Sequence, residues 1–371
     1  MDKNHIKILT FLVTAGLTIA AIPLSNLYRD GWQSSRQDWF RADHAEAWLN
    51  VLVYGLFDRS MVPDKVVVGK NGFLFLGNQY GHLIYKTQNI FPYASSEVPA
   101  WGGQVKALQH WYARQGIPIV LAMVPNKHSV YAEHLPEWIV PDRPGLSDNL
   151  VEEATKQNVQ LLDLRQSLSS AKAGRTDLLY WKTDSHWNLR GAEIGFSAIM
   201  QAVEQLTGWS VQLPVVSVTE FPLAAMDLAR IMKIDHLLPD DIELGQQYGT
   251  AQYASFCAGK IVLPDLVLDP CEQQSFVHLS VNTAAQYVIN DQALNQQKVL
   301  LLADSFSMQN AHLYQRSFQT IWAVHYDQLY GEQLARFISL YQPDLVIYQV
   351  VERSIFQTRH FAHLPVVDQA E

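Results

Sequence analysis

The chain has 371 residues, of which 48% are hydrophobic and 17% charged, and this excludes a generally disordered protein. The formal net charge of −9 argues against a nucleic-acid binder, which would carry a basic surface. The length suits two domains, or one large α/β domain with insertions.

The first 28 residues speak to location. Lys3 and Lys7 precede an apolar run from Ile8 to about Leu27, near the minimum that spans a bilayer, about 17–25 residues. The two lysines favour a cytoplasmic N-terminus, with the body of the protein on the far side. The small residues Ala20 and Ala21 would allow a cleaved signal peptide, but no clean A-x-A site is present. The expectation is therefore an uncleaved single-pass anchor over residues 1–28.

Residues 29–64 read as a helical linker, with Trp39, Ala42, Ala45, Trp48, Leu49 and Leu52 at roughly helical spacing. Asn71-Gly72, between the apolar segments of "VVVGKNGFLFL", signals a β-hairpin. A helix over about 100–115 follows, then a buried strand at 117–125 ("IPIVLAMVP") and another at 159–164. Ala192, Gly195, Ile199, Ala202, Val203 and Leu206 mark one face of a helix that Asn188 caps and Gly208 ends. Residues 209–297, rich in Gln, Pro and Asp, read as an insertion or loops over the sheet. Strands at 298–303 and 319–326, a helix at 331–341 and a last strand within 343–354 complete an α/β layered fold with a mostly parallel sheet.

Cys257 and Cys271 are too far apart for a CxxC motif. In an oxidising compartment they are candidates for a disulfide worth roughly 3 kcal/mol in the chain-entropy model; otherwise they are two buried thiols.

Chemistry gathers in two places. Ser305 follows the apolar run Val299–Ala303 and Asp304, where a strand turns into a helix; such a serine is either a helix cap or an exposed nucleophile beside backbone N–H donors. Asp184 and His186, in "YWKTDSHWNLRGA", stand two residues apart just before a helix. A serine nucleophile needs a base, and the base needs a carboxylate to orient it; a polar loop is the plainer reading. His128, His134 and His325 are possible metal ligands, but no HExxH or Cys/His cluster supports a metal.

Together these segments resemble the SGNH-hydrolase-like polysaccharide O-acetyltransferases of the AlgJ/AlgX type. The resemblance runs from about residue 65 to the end, through "VVVGKNGFLFL", "MVPNKHSVYAEHLP", "YWKTDSHWNLRGA", "MDLARIMKI", "LLLADSFS" and "IYQVVERS". Ala303 and Met226 stand where the family motifs have Gly. The resemblance implies an SGNH-hydrolase-like three-layer α/β fold over 65–371 with an insertion at about 209–297. It implies Ser305 as nucleophile, His186 as base and Asp184 as its orienter, with no cofactor and no metal. Lys127, Tyr131, Trp187 and Arg353 are loosely implied in sugar binding or site support; Tyr131 reads equally as core, and Glu352–Arg353 as an ion pair at a strand end. The implied reaction is O-acetylation of an exopolysaccharide, alginate or similar, through an acetyl-serine. The implied setting is the bacterial inner membrane, the catalytic domain in the periplasm and a membrane-bound O-acyltransferase as donor partner. The chain ends soon after the last predicted strand, so a C-terminal carbohydrate-binding module is not expected, and the architecture is closer to AlgJ. A carbohydrate acetylesterase using the same three residues, or a non-catalytic polysaccharide-binding assembly factor, stands as the alternative.

Overall fold

Three apolar runs form the middle of the main sheet: β3 (Ile119–Val124), β11 (Asn295–Ala303) and β13 (Leu345–Val351). Every residue of β3 and β13 is buried, as is Val299–Ala303. Strands buried on both faces need no polar alternation, which is why they appear as continuous apolar runs. In this computed structural model the described residues are 43–363, apart from 224–225, 236–237, 239–240, 249–255, 264, 275–276, 278 and 358, together with scattered positions between 12 and 24. The expected anchor lies largely outside the described residues. Among the described residues, no helix is long and apolar enough to cross a membrane.

With β4 (Leu161–Asp163) and β12 (Phe318–His325), these strands run parallel in the order β4-β3-β13-β11-β12. Alternate side chains enter two cores. Leu301, Ala303, Ile347 and Ala122 face a layer that includes the helix Leu189–Thr207 through Phe196, Ile199 and Val203. Leu300, Leu302, Tyr348 and Leu121 face the helices Glu97–Arg114 and Gly331–Tyr341 through Trp101, Leu108 and Phe337. The result is helix, sheet, helix in three layers, as expected.

The expectation of a mostly parallel sheet and of loops over 209–297 needs correction. The described sheet has nine strands and is mixed. β10 (Gln286–Ile289) joins β12 antiparallel, β7 (Phe256–Val262) joins β10, and β8 (Val267–Leu268) and β9 (Glu272–Gln274) flank β7. Before them, β5 (Val216–Leu223) and β6 (Asp241–Tyr248) pair as a separate antiparallel ribbon. These antiparallel strands are only partly buried: in β7, Phe256, Ala258 and Ile261 are buried, with more exposed neighbours between them. Half-buried strands of this kind give only a broken alternation, which the surrounding Gln and Asp residues obscure. Cys257, in β7, is disulfide-bonded to Cys271 just before β9, with Cα atoms 5.3 Å apart.

Ahead of the sheet, β1 (Val66–Val68) and β2 (Leu74–Leu76) form the hairpin read at Asn71-Gly72. Asn71 (φ 58°) and Gly72 (φ 78°) both take the left-handed region, which these two residue types accept most readily. The helix Asp43–Phe57 packs Val51 and Tyr54 near Val66, Leu74 and Leu228.

Candidate active site

All the parallel strands end on one side, where ligands bind in open α/β sheets. β11 ends at Ala303, and the chain turns through Asp304 and Ser305 into the helix Ser307–Ser317. Asp304 fastens that turn. Its Oδ1 accepts the Phe306 N–H at 3.0 Å, and its Oδ2 accepts the Val351 N–H at 2.7 Å from the end of β13. Its carbonyl accepts both the N–H and the hydroxyl of Ser307. Burial pushes the Asp304 carboxyl up, against the pull of those two backbone donors.

The second loop, residues 180–188, is closed by a bridge between Tyr180 and Trp187. Asn188 then caps the helix, its side chain accepting from the N–H groups of Arg190 and Gly191. Two glycines let this loop sit close. A Cβ at Gly191 would meet the Leu179 carbonyl at 2.3 Å, and one at Gly195 would meet the Trp187 ring at 2.6 Å. Trp187 is fully buried and donates Nε1–H to the Phe306 carbonyl at 2.8 Å, joining this loop to the Ser305 turn.

The two loops bring together Asp184, His186 and Ser305. His186 Nε2 lies 2.8 Å from Ser305 Oγ, and His186 Nδ1 lies 2.7 Å from Asp184 Oδ1. The same oxygen accepts the His186 backbone N–H at 2.8 Å. An ionised carboxylate only accepts, so Nδ1 carries the ring proton and Nε2 presents its lone pair to the Ser305 hydroxyl. Asp184 is buried, which works to raise its carboxyl. The hydrogen bonds and charge of His186 outweigh that and hold it below the usual carboxylate range.

Three of the residues implied in sugar binding face inward instead. Lys127 is 2% exposed, and its ammonium donates to the carbonyls of Trp181, Lys182 and Asp184 at 3.0, 2.9 and 2.6 Å. Its three protons are thus committed to the loop that carries Asp184. Tyr131 is buried, its hydroxyl accepting the Leu179 N–H and its ring packed against Phe73 and Tyr180. With Trp187 fully covered, all three support the site rather than contact an acceptor. Arg353 does lie at the site: its guanidinium sits 5.6 Å from the centre of the Phe306 ring and donates to Asn126 Oδ1 at 3.0 Å. The reading of Glu352–Arg353 as an ion pair is corrected. Glu352 accepts from Asn126 N–H and Ser129 Oγ and lies 3.9 Å from Arg165. Both residues lie in the turn after β13 and reach Asn126 separately, Glu352 through the Asn126 N–H and Arg353 through its Oδ1.

Neither Ala303 nor Met226 has a positive φ, so neither position requires glycine. The three histidines considered as metal ligands are used separately. His128 Nε2 bonds the Leu76 carbonyl, His134 stacks on Phe73, and His325 accepts the Asp327 N–H. Among the described residues, the group with ligand-like spacing is Asp184, His186 and Asp227, with one potential ligand atom from each within 4.8 Å of the others. Asp227 was not singled out from the sequence; its one signal was membership of the "MDLARIMKI" segment.

Residues 66–238 match the family model of the SGNH hydrolase-like domain of the acetyltransferase AlgX. That stretch, a little under half of the chain, is similar to the AlgX-type SGNH hydrolase-like family. The matched stretch holds Asp184, His186 and Asp227 and ends before Ser305, which the fold delivers. The chain is similar to proteins named "probable alginate O-acetylase AlgJ". It is 32% identical to the Pseudomonas putida protein over 106 residues (27% of this chain, 26% of that one) and 27% identical to the Pseudomonas syringae pv. tomato protein over 206 residues (52% and 49%). The matches thus span about a quarter to a half of these relatives' length. In fold it resembles Bacillus cereus PatB1, with a TM-score of 0.56 at 15% identity, covering 80% of this chain and 99% of that one.

Proposed function

We propose that this chain is an O-acetyltransferase that esterifies hydroxyls of an exopolysaccharide, alginate or a similar polymer, through an acetyl-serine at Ser305. The observation that carries this reading is the continuous path from Asp184 Oδ1 through His186 to Ser305 Oγ, with links of 2.7 and 2.8 Å. It is the arrangement that activates a serine for acyl transfer, and it stands in a chain with AlgX-type and AlgJ-named relatives.

In the first half-reaction His186 Nε2 takes the Ser305 proton while Oγ attacks the donor's acetyl carbonyl. The leaving group departs with that proton. In the second, His186 takes a proton from a sugar hydroxyl, whose oxygen attacks the acetyl-serine; Ser305 leaves and regains the proton. The Phe306 and Ser307 N–H groups are engaged by Asp304 and that of Met308 by the Ser305 carbonyl. The Ser305 N–H is therefore the backbone donor this turn offers to the oxyanion. The donor group comes from a membrane-bound O-acyltransferase partner, with this chain anchored in the inner membrane and its catalytic domain in the periplasm.

The test is intact mass measurement after incubation with p-nitrophenyl acetate, then with oligosaccharides. A one-acetyl adduct that is lost in Ser305→Ala and moves onto sugar supports the transferase. An adduct cleared equally fast into water without sugar supports an acetylesterase. A Ser305→Ala protein that acylates like wild type overturns the reading.

A further inference from the structure

A second carboxylate reaches the same imidazole through a hydroxyl. Asp227 opens the short helix Asp227–Ile231, whose position is fixed by Thr183: Thr183 Oγ1 accepts the Met226 N–H, and the Thr183 carbonyl accepts the Leu228 N–H. From there Asp227 Oδ1 accepts the Ser185 N–H at 2.9 Å, and Oδ2 lies 2.7 Å from Ser185 Oγ. Ser185 Oγ is in turn 3.2 Å from His186 Nδ1, the atom that also bonds Asp184 at 2.7 Å. Asp227 Oδ2 itself is 3.8 Å from Nδ1.

The proton count in this cluster has one solution when both carboxylates are ionised. A carboxylate only accepts, so the Ser185 hydroxyl must donate its proton to Asp227. Its lone pairs, not its proton, then face Nδ1. Were that proton to turn toward Nδ1 instead, it would favour the tautomer protonated on Nε2, which has no lone pair for Ser305.

We propose that Asp227 is a positioning residue for the acyl transfer: by holding the Ser185 proton it locks His186 in the tautomer whose Nε2 can act as base. Asp184 supplies the acceptor for Nδ1–H, and Asp227 removes the competing donor. This rests on the Ser305–His186 reading above. The other groups near the ring do not duplicate this role. Phe306 lies against it at 4.8 Å, Arg353 packs on Phe306, Lys127 is bonded to the Asp184 carbonyl, and Asp304 is committed to backbone N–H groups.

Asp227→Asn in the full chain tests the idea. The Asn carbonyl can keep the Ser185 N–H, but its amide now donates to Ser185 Oγ and turns the hydroxyl proton toward Nδ1. The expected loss in kcat/KM for p-nitrophenyl acetate is on the order of tenfold to a hundredfold, short of the roughly 10⁴ that follows loss of a directly bonded orienter. Removing the hydroxyl as well, in Ser185→Ala/Asp227→Asn, should restore most of the lost rate. A purely structural role for Asp227 would give no such rescue. A double variant no faster than Asp227→Asn, or an Asp227→Asn protein equal to wild type, overturns the inference. If wild type itself shows no Ser305-dependent turnover, it is the acyl-serine reading that has failed.

Discussion

The Trp187 indole and the Phe306 carbonyl, 119 residues apart, share a 2.8 Å hydrogen bond inside the core. That contact ties the loop carrying His186 to the turn carrying Ser305. Trp187→Phe keeps an apolar ring but deletes the donor and leaves the Phe306 carbonyl unpaired, a cost of about 1–3 kcal/mol. Catalysis should suffer more than stability, since misplacing reacting groups by about 1 Å can cost 10²-fold. Thermal melting beside the rate of acetyl-enzyme formation checks this; equal, small losses in both would show that the contact does not set the geometry.

Asp184→Asn should leave the fold intact while acyl transfer falls by about 10⁴-fold. Its amide can donate to Nδ1 and so favour the unproductive tautomer. Labelling by a serine-reactive fluorophosphonate, followed in time, reads this directly. A labelling rate within a few-fold of wild type would remove Asp184 from the proposed role.

How much of this could be read from residues alone follows from locality. Asp184 and His186 sit in one short motif, and Ser305 ends an apolar run, so each announces itself without knowledge of the fold. The central parallel strands β3, β11 and β13 are equally plain because burial on both faces leaves an unbroken apolar signature, whereas β4 is only half-buried. Asp227 is not plain, because its relation to His186 depends on a five-residue helix folding back onto Thr183. The motifs leave Lys127 and Trp187 open between sugar binding and site support. A motif shows that a residue belongs to the site, but only the packing shows that the Lys127 protons are already taken by three carbonyls.

Lys127→Met tests that support. The methionine fills much of the same volume but leaves the carbonyls of Trp181, Lys182 and Asp184 without their donor. With about 1–3 kcal/mol for a buried acceptor left unpaired, the protein should lose at least a few kcal/mol. Loosening of the 181–184 loop should lower the acylation rate as well. Lys127→Arg should not rescue it, because a planar guanidinium cannot direct three donors from one atom. Urea unfolding combined with acylation rates decides; a stable Met variant would mean that water replaces the ammonium.

Two buried histidines should make this fold sensitive to acid. Burial is the main cause that holds His128 down to about 3 and His360 down to about 4, and both are nearly inaccessible. In the unfolded chain each would titrate near 6.5. Between those values the unfolded state binds a proton that the folded state refuses, so stability is complete above about 6.5 and falls as the pH drops. The limiting slope is about 1.4 kcal/mol per pH unit for each histidine, and both act together down to about pH 4. Asp184, held low by His186, adds to the loss only at more acidic pH. Urea midpoints measured from pH 7 down to about pH 4.5 should therefore decline steadily. His128→Gln should flatten the decline, whatever its effect at neutral pH. A His128→Gln protein whose midpoint declines as steeply as wild type would show that His128 takes up its proton in the folded state.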